Sequence, residues 1–257
     1  FDTVDHKILM EKLKLYGITG ANHDWFSNYL SGRKQYVTYN NHKSATKTIT
    51  CGVPQGSILG PLLFLLYIND LSTVSDDVFS ILFADDSNLF VSGKDINVLC
   101  DKMNNALKDI QQWLFCNKLS LNVLKTHYMF FTSLKKQVPD QVIKICNTAI
   151  DRVYVTKFLG VHIDSKLTWK EHILHTCKKV SKSIAILAKA RKKLPQNCLF
   201  KLYYAVTYPY FIYCNHVWGN AYKETLKPLF RLQKRIIRVI TSSVSYTHLT
   251  LPTKSSV

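Results

Sequence analysis

Phe83-Ala84-Asp85-Asp86 sets two adjacent carboxylates at the turn between two apolar runs, Val78–Phe83 and Leu89–Val91. Aromatic and branched runs meeting at a short polar tip read as a β-hairpin. Both flanks suit buried strands, so core packing gives no reason for charge at the tip. Paired carboxylates are hard oxygen donors. Supporting two Mg²⁺ ions about 3.5–4 Å apart, they would serve an in-line displacement at phosphorus, one ion activating the attacking hydroxyl and the other steadying the leaving group. Taken alone, an Asp-Asp dipeptide is more often a solvated turn. The neighbouring sequence decides between the two.

Upstream, Gly52-Val53-Pro54-Gln55-Gly56-Ser57-Ile58-Leu59-Gly60-Pro61 places three glycines and two prolines in ten residues, just before the apolar run Leu62–Ile68. This reads as a stiff loop leading into a buried helix. Glycine lets a backbone approach a ligand closely, and the Gln55 amide offers both a donor and an acceptor to a base or phosphate. Five motifs then stand in a fixed order: Phe1-Asp2-Thr3-Val4-Asp5-His6, the Gly52–Pro61 loop, Phe83-Ala84-Asp85-Asp86, Trp113 to Thr126 with Asn122 and Lys125-Thr126, and Phe158-Leu159-Gly160-Val161. Together they resemble the successive motifs of reverse transcriptases, most closely those of non-LTR retrotransposons of the LINE/jockey-like kind. The resemblance covers residues 1 to about 243.

The resemblance implies an α+β fold. A palm with partial fingers, an antiparallel sheet with packed helices, is expected over residues 1–164, followed by a basic helical thumb over 165–243. It implies that Asp85 and Asp86 are two of three catalytic carboxylates and ligands of two Mg²⁺ ions, with Mn²⁺ able to replace them. The third would fall before Phe1, so these residues by themselves are expected to be inactive as a polymerase. Asp2 matches the family's second, non-catalytic aspartate. Phe1 matches the aromatic that sits under the sugar of the incoming nucleotide and favours dNTPs. RNA-copying RNA polymerases tend to carry a polar residue there, and Gly where this chain has Ala84. Gln55 and Gly56 resemble the loop that touches template and nucleotide. Lys125 resembles a lysine that protonates departing pyrophosphate, and it reads equally well as a surface lysine. Phe158, Leu159 and Gly160 resemble the primer grip. The implied partners are an RNA template, a DNA primer and dNTPs, in the cytoplasm and nucleus. A nucleic-acid-binding remnant without activity is the alternative.

Composition bounds the answer independently. With 257 residues and 47% hydrophobic content the chain can bury a large core. Residues 1–164 carry 17 Lys/Arg against 15 Asp/Glu, a net of +2, whereas residues 165–243 carry 16 against 2, a net of +14. Such a basic region suits a polyanion partner. Seven scattered cysteines without a close C-x-x-C pair read as reduced thiols. His172, His175 and Cys177 lack a second ligand pair at a metal-binding interval, so they read as a wet helix surface. The longest apolar run, Leu62–Ile68, is too short to cross a bilayer. No signal of oligomeric state is legible. The chain begins at Phe1 without a methionine, so its natural start is expected upstream, and residues 244–257 read as an adapter-like, non-native tail.

The elements that position these residues follow from periodicity. Asp5 is placed to cap a helix ending at Gly17, and Asn22–Leu30 reads as a second. Arg33–Tyr39 and Thr46–Thr50 suit a hairpin around Asn40-Asn41. Asp95 is placed to cap a longer helix carrying Leu99, Met103, Leu107, Ile110 and Trp113/Leu114 on one face. Strands are expected at His127–Thr132, Val142–Cys146 and Val153–Leu159. After Trp169, helices are expected through Ile173–Leu187, Leu199–Val206 and Leu226–Ile240.

Overall fold

The computed structural model describes residues 1–135, 138–139 and 141–241, so the tail expected over 244–257 lies outside the described residues. The chain packs as two compact units: Phe1–Tyr128 with Val138–Arg152, and Met129–Gln137 with the chain from Val153 on. Helices and strands are mixed, as an α+β reading expects.

In the first unit the Asp5 carboxylate accepts hydrogen bonds from the backbone N–H groups of Lys7 and Ile8, at 2.9 and 3.1 Å. Capping two otherwise unpaired amides starts α1 (His6–Leu15) where the sequence places it. α2 (Gly20–Leu30) follows. β1 (Lys34–Gln35) pairs with β4 (Lys47–Thr48), and β2 (Thr38–Tyr39) with β3 (His42–Lys43). The hairpin turns at Asn40-Asn41, both at positive φ, as expected.

α3 (Leu59–Ile68) begins inside the glycine-rich loop, where the Ser57 hydroxyl accepts from the Gly60 amide at 2.9 Å. It is apolar on every side, yet only one side is covered. Leu63, Phe64, Tyr67 and Ile68 are buried with Val4, Leu9 and Leu13, while Leu62 and Leu65 are 48% and 47% exposed. The expected buried helix is therefore half-buried, because the core lies along a single stripe. Inside that core the Tyr67 hydroxyl donates to the Asn117 carbonyl at 2.6 Å. The Lys12 ammonium donates to the Tyr67 carbonyl at 2.7 Å and to Asp70 at 2.6 Å.

β5 (Phe79–Phe83) and β6 (Asp86–Phe90) form the acidic hairpin. α4 (Ile96–Cys116) is capped by Asp95 and buries Cys100, Leu107 and Ile110. β7 (His127–Tyr128) pairs in parallel with β10 (Asp151–Arg152), and β8 (Lys144–Ile145) pairs with β9 (Thr148–Ala149). Two expected strands are thus shorter than the apolar runs suggest: Val142–Cys146 keeps only Lys144–Ile145, and His127–Thr132 keeps only His127–Tyr128, because from Met129 the chain joins the other unit. Where one antiparallel sheet was expected, the described strands form six two-stranded ladders, one of them parallel. β5 and β6 use one edge each on one another, and no other described strand takes their outer edges. Phe79 and Phe83, expected in buried strands, are 68% and 57% exposed, since alternation turns them to the face opposite Leu82 and Leu89, which pack on the core.

In the second unit β11 (Val155–Phe158) and β12 (Val161–Asp164) form a hairpin. The Asp164 carboxylate accepts from the amides of Lys166, Thr168 and Trp169, at 3.1, 3.0 and 2.7 Å, and so fixes the turn into α5 (Lys170–Ala190). α6 (Gln196–Val206), α7 (Tyr208–Ile212), α8 (Asn215–Trp218) and α9 (Lys223–Thr241) complete the unit. Ile173, Val180, Ile184 and Leu187 of α5 meet Leu199, Leu229, Ile236 and Ile240 in one core. The expected helical stripes are the buried faces. α7 and α8 had no periodic signal, being five and four residues long.

Candidate nucleotidyl-transfer and nucleic-acid site

The register of β5 and β6 pairs Phe83 with Asp86, leaving Ala84-Asp85 as a two-residue turn. Ala84 has φ +51, a left-handed conformation in which its Cβ crowds the backbone. That turn presents Asp85 at the tip and Asp86 as the first residue of β6, both exposed. Among the described residues neither carboxylate takes part in an ion pair or side-chain hydrogen bond. Two unengaged carboxylates with free lone pairs suit an oxygen-preferring dication, which is commonly held by one or two carboxylates together with substrate phosphates. Among the described residues no group of three or more His, Cys, Asp or Glu side chains could hold a metal.

The glycine-rich loop is tied to the start of the chain. The Val53 amide donates to the Phe1 carbonyl at 2.9 Å, and the Gly52 amide to the Val4 carbonyl at 2.7 Å. The His6 Nε2 lies 2.7 Å from the Gly52 carbonyl oxygen, and the Gln55 Nε2 donates to Asp2 Oδ1 at 2.8 Å. Gly52 has to be glycine: its φ is +84, and a Cβ would lie 2.8 Å from the Asp2 carbonyl oxygen. Asp5 is braced as well, because the Lys118 ammonium donates to it at 2.7 Å and holds its carboxyl below the usual carboxylate range. The Phe1 ring packs on Phe64 with centroids 4.5 Å apart. Phe1, Asp2, Gln55 and Gly56 are thus brought to one place. His6 and Lys118 lie within the first and fourth motifs, but their bracing roles were not legible there, since both depend on pairings distant in sequence. Lys125 is exposed and closes a 3₁₀ turn, Val123–Lys125, through its amide to the Asn122 carbonyl.

In the second unit Phe158 pairs with Val161, so Leu159-Gly160 is the turn of the β11–β12 hairpin, with φ +44 and +86. Lys178, Lys179 and Lys182 are exposed on α5. His172 corrects an expectation. It is buried beside Trp218, its Nδ1 accepts from the His162 amide at 3.3 Å, and burial pushes its pKa down to about 4, helped by His162 and His175. The lack of a second ligand pair suggested a wet surface; the helix instead turns His172 into the core, with His175 at its edge.

No helix of the described residues is long and apolar enough to cross a membrane. Comparison with known proteins places residues 1–163 in the reverse transcriptase (RNA-dependent DNA polymerase) family. The chain is 28% identical over 263 residues to the RNA-directed DNA polymerase from mobile element jockey of Drosophila melanogaster, covering 96% of this chain and 28% of that protein. It is 27% identical over 248 residues to the probable RNA-directed DNA polymerase from transposon X-element of the same species, covering 94% of this chain and 27% of that protein. A Retrovirus-related Pol polyprotein from type-1 retrotransposable element R1 of Bradysia coprophila is 23% identical over 171 residues, covering 66% of this chain and 17% of that protein. The chain therefore spans under a third of the length of these relatives. With a match through both the acidic hairpin and the loop tied to Phe1, the chain belongs to the reverse transcriptase (RNA-dependent DNA polymerase) family.

Proposed function

We propose that this chain carries the polymerase centre of a non-LTR retrotransposon protein, which extends a DNA primer on an RNA template with dNTPs, in the cytoplasm and nucleus. The observation that carries the reading is the Asp85-Asp86 tip: two exposed carboxylates without partners among the described residues, held on a tight turn. Asp85 and Asp86 would hold Mg²⁺, or Mn²⁺ in its place. When bound, such ions lower the pKa of an attacking 3′-hydroxyl and neutralise charge on the leaving pyrophosphate.

The chain's own residues supply the rest. The Phe1 ring, backed by Phe64, would lie under the sugar of the incoming nucleotide and exclude a 2′-hydroxyl by its bulk. Gln55, oriented by Asp2, and Gly56 would meet template and nucleotide. The Lys125 Nζ would give its proton to the departing pyrophosphate oxygen, a general-acid role suited to a flexible ammonium. The Phe158-Leu159-Gly160 turn would steady the primer end, and the lysines of α5 would hold the heteroduplex by its phosphates without reading sequence.

A second reading, a nucleic-acid-binding remnant without polymerase activity, draws on the net charge of +14 over residues 165–243, which suits a polyanion whether or not the hairpin holds ions. Primer extension separates the two. The 257 residues, alone and joined to whatever coding sequence adjoins them, are assayed on an RNA template with a DNA primer and Mg²⁺. Asp85→Asn should abolish extension while leaving template binding within about 2-fold, because the carboxylate serves the ions and not the grip. Undiminished extension by the variant removes the polymerase assignment from this hairpin; hybrid binding without extension by either protein supports the remnant.

A further inference from the structure

The Leu159-Gly160 turn carries an unusual backbone. Two-residue hairpin turns with both φ values positive favour Asn or Gly at each place, whereas this one holds a branched leucine at φ +44. A strained conformation at a bulky residue persists only where surrounding contacts fix it. The contacts come from Tyr213, far along the chain at the corner between α7 and α8. Its hydroxyl donates to the Leu159 carbonyl. Its ring covers Gly160 so closely that a Cβ there would lie 3.2 Å from Tyr213 Cε1 and 3.4 Å from the hydroxyl oxygen.

Tyr213 is in turn anchored from behind. Its carbonyl accepts from the Trp218 indole N–H at 2.8 Å, and Trp218 is buried in the helical core against His172. Hydrogen bonds and ring contacts therefore run from the core, through Trp218 and Tyr213, to the tip of the hairpin. Yet Tyr213 itself is 51% exposed, so its side chain contributes little to the core. A half-exposed tyrosine that spends its hydroxyl on a strained turn serves the shape of that turn.

We propose that Tyr213 is a positioning residue: it sets the conformation of the Leu159-Gly160 turn, and through it the seating of a primer 3′ end. The second part rests on the polymerase reading above. The test compares the parent with Tyr213→Phe, which keeps the ring and loses the hydroxyl, and with Tyr210→Phe, a neighbour without a hydrogen bond to the turn, as control. Fluorescence anisotropy measures binding to an RNA–DNA hybrid with a recessed DNA 3′ end and to a blunt hybrid, and hydrogen exchange reads the Gly160 and Val161 amides. Tyr213→Phe should weaken recessed-end binding by about 3- to 10-fold, the loss of one hydrogen bond, leave blunt-hybrid affinity unchanged, and lower the melting temperature by no more than about 2–4 °C. Exchange at the turn should quicken, and Tyr210→Phe should match the parent in every measurement. Where extension is measurable, the primer–template KM should rise by the same factor with kcat and the dNTP KM unaltered. Equal recessed-end affinity for the Phe variant and the parent overturns the inference, as does a parallel fall in both affinities with a larger drop in melting temperature. Failure to extend a primer, both by these 257 residues and by the protein joined to its adjoining coding sequence, removes the polymerase reading alone, because the recessed-end comparison still decides the role of Tyr213.

Discussion

Replacing Gly52 by Ala tests the junction between the start of the chain and the loop, and Gly56→Ala supplies an internal control. Both glycines have positive φ, +84 and +80, so a Cβ at either place costs about 1–2 kcal/mol of left-handed strain. Both substitutions also reduce the freedom of the unfolded chain, which returns about 0.4–1 kcal/mol. At Gly56 nothing lies within 4 Å of the new Cβ, so the balance there is about 0–1.5 kcal/mol of destabilisation. At Gly52 the Cβ would meet the Asp2 carbonyl oxygen, Cα and carbonyl carbon at 2.8, 2.9 and 3.0 Å. These are backbone atoms and cannot rotate away. Relief requires the Phe1–Val4 segment to lift off the loop, loosening the Gly52–Val4, Val53–Phe1 and His6–Gly52 hydrogen bonds. At about 0.5–1.5 kcal/mol each, those three set the gap between the two variants at about 1.5–4.5 kcal/mol. Urea unfolding followed by far-UV circular dichroism and tryptophan fluorescence measures it, with Trp25 and Trp113 reporting on the first unit. Variants that differ by less than about 0.5 kcal/mol would refute the reasoning, and with it the claim that this contact fixes the loop.

Lys12→Met should destabilise the first unit by about 1–3 kcal/mol in the same unfolding assay, because the ammonium, itself held below the usual lysine range by burial, satisfies the Tyr67 carbonyl and Asp70. A neutral result would mean that Trp113, which also donates to Asp70, suffices alone. His172 has a folded pKa of about 4 against 6.5 ordinarily, so the unfolded chain binds the extra proton between those values. Its contribution is present above pH 6.5 and is lost as pH falls toward 4, by up to about 3 kcal/mol in the second unit. A His172→Gln variant should show a correspondingly flatter loss between about pH 7 and 4.5, and an unchanged profile would refute the assignment. Charge reversal of Lys178, Lys179 and Lys182 to Glu should weaken RNA–DNA duplex binding for all sequences alike and flatten its salt dependence in proportion to the phosphates no longer neutralised. Unaltered affinity at low salt would move the duplex to another face of α5.

Local signals were enough for much of this protein. Asp5 and Asp95 announced two helix starts because a cap is a contact between near neighbours in sequence, and 3.6-residue stripes announced the buried faces of α4, α5, α6 and α9. The acidic hairpin was legible for the same reason: apolar runs, a short tip and the pairing of Phe83 with Asp86 lie within one stretch of chain. Family membership was legible from motif order alone.

The remainder depended on partners distant in sequence. Nothing local distinguishes Leu63 from Leu62 in an all-apolar helix; only the side on which α1 packs does. Apolar strand runs carry no record of which edges find a partner, so one expected sheet became separate two-stranded ladders. His172, without a second ligand pair in the sequence, read as wet helix surface, and burial against Trp218 made it a core residue with a depressed pKa. Gly52 read as a loop glycine until Asp2 was brought within 3 Å of where its Cβ would stand, and Tyr213 had no signal until its hydroxyl met Leu159 across 54 residues. Composition, caps and periodicity act over a turn or a strand and are written in the chain; close approach, burial and desolvation arise only when remote segments meet.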